Sequence, residues 1–325
     1  MRRELIKQIL QIILLIPLIG LDIFFLLGIY DNLDSELDLK TDTESIQTVQ
    51  KQADIESIKM IQKTILAKRV DWEELRAEIA EIIDEEDEKY AYYIENLSTG
   101  ESVQFNEDLN VHPASIYKVP LAIAVLKQVD EGEINMNSML LVTSAEKPYS
   151  FDLLSKREGE YEISVEETLT YLIRYSDNTA MTTLEHRLGG VEQLQADMAK
   201  LGIGGVTRLP GESTAPAVAK MMRALYEQSI LTEDSNKFLL NLMKDMAPGQ
   251  NDRIPAGVPD EIEVAHKIGT LTSTYHDAGI VYGEDNDYLI VVLNEDIEPS
   301  TARSKIRRIS EVTYNYLNLV ATKAE

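Results

Sequence analysis

The hydrophobic period of this chain changes twice, and that restricts its fold more than any other feature. The stretch "YAYYIENLSTGESVQF" (90–105) reads as strand, turn, strand, with β-favouring runs at 90–94 and 101–105 around a Ser-Thr-Gly turn. From Ile116 to about Gly205 the pattern is mainly helical and is broken by short polar loops. Here "VEETLTYLIRYS" and "NTAMTTLEHRLGG" are clear helices, the second closing on glycines suited to its C-cap. Near residue 262 strands return in "EIEVAHKIGTL", "YHDAGIVYG" and "DYLIVVLNE", and a last amphipathic helix covers about 301–319. The globular part begins with "DWEELRAEIAEII" (71–83), whose Trp72, Leu75, Ile79, Ile82 and Ile83 recur at helical spacing. Strands from both ends with helices between them predict one sheet whose N- and C-terminal parts meet, with a helical subdomain inserted.

The first thirty residues obey a different rule. Arg2, Arg3 and Lys7 precede an apolar stretch that ends near Tyr30 and is followed by Asp31, Asp34, Glu36 and Asp38. The stretch matches the ~20 residues needed to cross a bilayer. Basic before and acidic after predicts a single-pass anchor with a cytoplasmic N-terminus and an extracytoplasmic domain. Asp22 within the span costs about 2.5–3.5 kcal/mol at mid-bilayer, and less towards one end. No small-x-small cleavage site follows, which favours an uncleaved anchor over a signal peptide. Residues 31–70 then read as a polar helical stalk whose Ile58, Ile61 and Ile65, at spacings of three and four with Trp72 seven residues beyond, leave room for self-association.

Composition narrows the partners. Hydrophobic residues make up 44% and charged residues 27%, enough for a proper core. A formal net charge of −25 repels nucleic acid and anionic headgroups, so neither is expected as a partner. The acidic run 84–88 reads as solvated surface. There is no cysteine, which removes disulfide and thiolate chemistry. Of the four histidines only His266 and His276 lie near each other in sequence, and no metal-ligand spacing is present. Neither metal nor cofactor is expected.

Three short motifs carry the chemistry. In "HPASIYKVPLAIAVL" (112–126) Ser115 stands at the start of an apolar helix and Lys118 follows one turn later on the same face. A helix start favours a developing anion, and a lysine becomes a base when its pKa is lowered. A second Ser-Lys pair at this spacing, Ser144 and Lys147, sits in loop-like "VTSAEKPYS" with no apolar helix to hold it. In "YSDNTA" (175–180) Ser176 can relay a proton and Asn178 offers both a donor and an acceptor, although Ser, Asp and Asn also make ordinary helix caps. In "AHKIGTLTS" (265–273) Lys267 supplies a fixed cation, and Gly269 lets a substrate backbone approach the strand edge. None of the three is decisive alone.

Their order is. S-x-x-K at a helix start, S-D-N between helices and K-x-G on a returning strand resemble the motif set of the serine β-lactamase and penicillin-binding protein superfamily, and class A β-lactamases most closely. The resemblance covers about residues 71–321 and extends to "SDNTA", "GG", "VTRL" and "HKIGTL". It implies an α/β (α+β) fold: an antiparallel sheet flanked by helices, with an inserted all-helical subdomain, as one serine hydrolase domain over 71–325. It also implies that Ser115 forms an acyl-enzyme with a β-lactam or a D-Ala-D-Ala-like amide, with Lys118 accepting the proton. Backbone N–H groups of Ser115 and Thr270 would form the oxyanion hole. Ser176 would protonate the leaving nitrogen, Asn178 would hold the substrate amide, and Lys267 would face its carboxylate.

Two departures qualify this expectation. Class A enzymes carry a deacylating glutamate on a long loop between the second and third motifs. In "GGVTRLPGESTAPAVAKMM" the chain passes almost directly from "VTRL" to "STAPA", and Glu212 is the one carboxylate in the gap. Without that base, positioned help worth about 10²–10⁴-fold is lost and the acyl-enzyme should persist. Ile268 also replaces the family's Thr or Ser, so Thr270 or Thr272 would have to supply the missing hydroxyl. The expected protein is a membrane-anchored serine hydrolase that deacylates slowly. The alternative is a non-catalytic stalked protein that uses the same groove to bind cell-wall peptide.

Overall fold

The computed structural model describes residues 71–83 and 89–319. The expected anchor (1–30), the stalk (31–70) and the acidic run 84–88 lie outside them. Among the described residues no helix is long and apolar enough to cross a membrane.

A five-stranded sheet organises the body in the order β2-β1-β9-β8-β7, antiparallel throughout. It is built from β1 (Tyr90–Asn96), β2 (Ser102–Phe105), β7 (Glu263–Leu271), β8 (Thr274–Tyr282) and β9 (Tyr288–Asn294). The two ends of the domain meet at its centre, where Tyr90 pairs with Asn294 and Asn96 with Tyr288. All seven residues of β9 are buried. Side chains alternate faces along a strand, so a strand covered on both sides shows two apolar sets. Leu289, Val291 and Leu293 enter one core with Ala91, Ala265 and Ala278. Tyr288, Ile290 and Val292 enter the other with Tyr90, Tyr92 and Ile94.

That second core is closed by α1 (Trp72–Ile83) and α8 (Pro299–Tyr314), which bury Leu75, Ile79, Ile82 and Ile83 and Ala302, Ile306 and Ile309. The first is closed by the inserted helices α2 (Lys118–Asp130), α3 (Val165–Arg174), α4 (Asn178–Leu188), α5 (Val191–Lys200), α6 (Ala215–Tyr226) and α7 (Glu233–Lys244). Helix α2 runs through the middle, with nine consecutive residues from Lys118 to Leu126 buried. A helix apolar on every side needs neighbours on every side, and α2 has α3, α4, α5 and α7 around it.

The insertion is not wholly helical, as the sequence had implied. It holds two small hairpins, β3 (Met139–Val142) with β4 (Tyr161–Ser164), and β5 (Val206–Thr207) with β6 (Glu212–Ser213). Strands of two to four residues give too few alternations for a period-2 signal. The glycine reading of α4 is met: Gly189 follows it at φ +87°, in the left-handed region where glycine has no penalty.

Candidate active site

Ser115 lies in a short 3-10 turn, Ala114–Tyr117, that runs straight into α2. Ala114 has φ +50°, a left-handed conformation that costs an L-residue ~1–2 kcal/mol. The surroundings hold it there. His112 Nδ1 accepts the Ala114 N–H at 3.0 Å, and the His112 carbonyl accepts from His276 Nε2 at 2.9 Å. The Asn294 N–H occupies His276 Nδ1 at 3.0 Å, which leaves the proton of the neutral ring on Nε2. Burial lowers the His276 pKa to about 4, so the ring stays neutral.

Strand β7 presses on this turn from the other side. A Cβ on Gly269 would lie 2.8 Å from the Pro113 carbonyl oxygen and 3.2 Å from Ala114 Cβ. Glycine is therefore required here by the close approach of β7 to the Ser115 turn, a tighter demand than the substrate clearance expected from sequence.

Lys118 is 1% exposed, and its Nζ sits among four oxygens. Asn178 Oδ1 lies at 2.9 Å, Ser176 Oγ at 3.2 Å and Ser115 Oγ at 3.4 Å, and the Ser176 carbonyl is in close contact. Burial lowers its pKa to about 8, against the opposing pull of Asp152, Asp177 and Glu185. A neutral amine has two N–H donors and one lone pair. The Ser176 carbonyl and Asn178 Oδ1 can only accept, so they take the two donors. The lone pair is left for a serine hydroxyl. This is the geometry of a base for Ser115 or Ser176.

The S-D-N stretch divides its work. Asp177 is the N-cap of α4, accepting from the Ala180 N–H at 3.0 Å, and its other oxygen takes the Leu154 N–H at 3.0 Å. The cap reading and the chemical reading thus fall on different residues. Ser176, at φ +56°, points its hydroxyl between two lysines, with Lys267 Nζ at 3.0 Å. Lys267 is fully buried, and burial and then the Lys118 charge lower its pKa well below the ordinary lysine value.

Near the end of β7 stands a residue the sequence did not single out. Arg253, 2% exposed, donates to the Thr270 hydroxyl at 2.7 Å and to the carbonyls of Gly269 at 3.2 Å and His276 at 2.5 Å. Of the two threonines considered as substitutes at this strand, Thr270 is joined to a cation and Thr272 is exposed in the β7–β8 turn. His266 and His276 do not share a site. His266 Nδ1 faces Asp277 Oδ1 at 2.9 Å, while His276 serves the Ser115 turn.

The fold and the motif residues now stand together, and comparison with known proteins agrees. A family model described as "Beta-lactamase enzyme family" matches residues 74–317. The chain belongs to this β-lactamase family. Beta-lactamase VEB-1 of Pseudomonas aeruginosa is 22% identical over 286 residues, 78% of this chain and 93% of that protein. The β-lactamase of Bacillus licheniformis is 25% identical over 255 residues, 74% and 82% respectively. Among solved structures, a β-lactamase from Chitinophaga pinensis DSM 2588 matches with TM-score 0.70 and 25% identity, over 75% of this chain and 100% of that one. PBP-A matches in fold with TM-score 0.69 and 23% identity, over 74% and 95%.

In this member of the β-lactamase family the segment from "VTRL" to "STAPA" is a pinned hairpin. Arg208, between β5 and β6, makes a two-pronged ion pair with the buried Glu185, at 3.0 and 2.7 Å. Gln195 Nε2 donates to the Leu209 carbonyl at 2.7 Å, and Gly211 packs so closely on the His112 ring that a Cβ would overlap it. Glu212 is exposed on β6. The second Ser-Lys pair lies apart from this chemistry, for Lys147 Nζ donates to the carbonyls of Arg157 at 2.6 Å and Gly159 at 2.7 Å.

Proposed function

We propose that this chain is a serine hydrolase of the penicillin-binding type, with Ser115 as the acylated nucleophile and Lys118 as its base. The observation that carries the reading is the Lys118 amine, buried among Ser115, Ser176 and Asn178 with its pKa lowered to about 8. Ser115 Oγ attacks the carbonyl of a β-lactam or a cell-wall-like amide as its proton passes to Lys118. Ser176, in reach of both lysines, returns a proton to the leaving nitrogen. Backbone N–H groups of Ser115 and Thr270 hold the oxyanion, and Asn178 holds the substrate amide. Lys267, with Arg253 acting through Thr270, forms a cationic seat for a carboxylate. That seat supports recognition of an acidic substrate despite Ile268.

We read the acyl-enzyme as long-lived. The three carboxylates that act on Lys118 are all engaged: Asp177 caps α4, Glu185 pairs with Arg208, and Asp152 accepts from Asn178. Glu212 points to solvent at the surface. A variant of the fold neighbour PBP-A has been solved as an acyl-enzyme complex with penicillin G. The basic-then-apolar N-terminus supports a membrane-anchored, extracytoplasmic protein, which fractionation of cells expressing the full chain would test. For the chemistry the test is intact mass after incubation with a fluorescent penicillin, for the natural chain and Ser115→Ala. A stable adduct on the natural chain alone is expected. Rapid release of ring-opened product would overturn slow deacylation, and no adduct would favour the binding-protein alternative.

A further inference from the structure

Asp152 stands behind the site at the end of a three-residue relay. Its Oδ1 accepts from Asn178 Nδ2 at 3.1 Å, and Asn178 Oδ1 in turn accepts from Lys118 at 2.9 Å. Asp152 is 6% exposed, and its other oxygen, Oδ2, is buried without a hydrogen-bond partner. A buried carboxylate with so few partners, all of them from Asn178, is costly to keep, so its presence asks for a reason. Desolvation, and next the neighbouring Asp177 charge, raise its pKa above the ordinary aspartate value.

We propose that Asp152 is a positioning residue for Lys118, locking the Asn178 amide in one orientation and opposing the loss of the lysine's proton through its own negative charge. The proposal rests on the reading of Lys118 as the base. A primary amide can face Lys118 with either end, and only its oxygen suits an N–H donor. A carboxylate accepts and never donates, so Asp152 binds the NH₂ end and turns the oxygen to Lys118. Four charged groups act around Lys118: Asp152 from the loop before β4, Asp177 capping α4, Glu185 on α4, and Lys267 from β7. Asp177 is held by two backbone N–H groups and Glu185 by Arg208. Of the three carboxylates only Asp152 bonds to a side chain that itself bonds to Lys118.

Charge and shape can be separated by two variants. Asp152→Asn keeps an acceptor oxygen and removes the charge, whereas Asp152→Ala removes both. The Lys118 midpoint is read directly by NMR titration of ¹³Cε-lysine, the signal being assigned by its absence in Lys118→Met. The midpoint should fall by about one pH unit in both variants, because a nearby anion stabilises the ammonium. The acid limb of penicillin labelling should move down with it. At high pH Asp152→Ala should label about tenfold more slowly than the natural chain, and Asp152→Asn within about threefold of it. An unmoved Lys118 midpoint, with equal rate loss in both variants at every pH, would mean a structural role and overturn the proposal. A moved midpoint in a protein that never takes label would overturn the acylation reading and leave the Asp152–Lys118 coupling standing.

Discussion

Lys118 and Lys267 converge on a single hydroxyl, with Ser176 Oγ 3.2 Å from the first Nζ and 3.0 Å from the second. Two buried ammonium groups so placed oppose each other, and it is Lys267 whose pKa is lowered by the other lysine as well as by burial. The cation expected to meet a substrate carboxylate thus holds its proton less firmly than an ordinary lysine until the carboxylate arrives.

Binding of an acidic ligand should therefore take up a proton. An incoming carboxylate favours the ammonium form of Lys267, so affinity should fall as pH rises through the lowered Lys267 pKa. Calorimetry of Ser115→Ala with benzylpenicillin, in buffers of different ionisation enthalpy, reads this uptake. A heat independent of buffer would show that Lys267 is already charged.

Acylation should increase with pH about a midpoint near 8, the lowered Lys118 value. The neutral amine is the active form, and it is present above the pKa and lost below it. At pH 7 about one-tenth of the lysine is neutral, so labelling should quicken roughly tenfold towards pH 9. A rate flat from pH 6 to 9 would remove Lys118 as the base.

Gly269→Ala should injure fold and site together. The new methyl meets the Pro113 backbone at 2.8 Å, which cannot swing aside as a flexible side chain would. A loss of about 1–3 kcal/mol in urea unfolding is expected, with labelling of Ser115 slowed at least tenfold. Unchanged kinetics in a destabilised protein would show that the turn can shift without harm.

Glu212→Gln should leave the lifetime of the acyl-enzyme within about twofold of the natural value, since this side chain is exposed on β6 and absent from the Lys118 network. Intact mass followed over time decides it. A tenfold longer lifetime would identify Glu212 as a deacylating base after all.

Motif residues were legible because each stands beside a signal of its element: Ser115 before an apolar helix, Ser176 and Asn178 around a cap, Lys267 on an alternating strand. Their convergence followed from the two-ended sheet. Asp152 and Arg253 were not legible. They lie in "YSFDLL" and "GQNDRIP", loop-like stretches in which nothing local marks a charged residue for burial. Arg253 reaches Thr270 seventeen residues away and Asp152 reaches Asn178 twenty-six away. Contacts of that kind are decided by tertiary packing. The hairpin of β3 and β4 escaped for a different reason, its strands being only four residues long.

The pairing of β1 with β9 also governs when the site can come into being. Tyr90 and Asn294 are neighbours in the sheet but are separated by nearly the whole domain, so the central ladder is a contact of very high order. A chain growing from its N-terminus makes Ser115, Lys118 and Ser176 long before β7, β8 and β9 exist to close the sheet around them. Until then Lys267 is missing, β7 does not press on the Ser115 turn, and β1 has only β2 as a partner. The candidate site is therefore incomplete in the nascent chain and is assembled only when the last third of the protein has been made and has folded back.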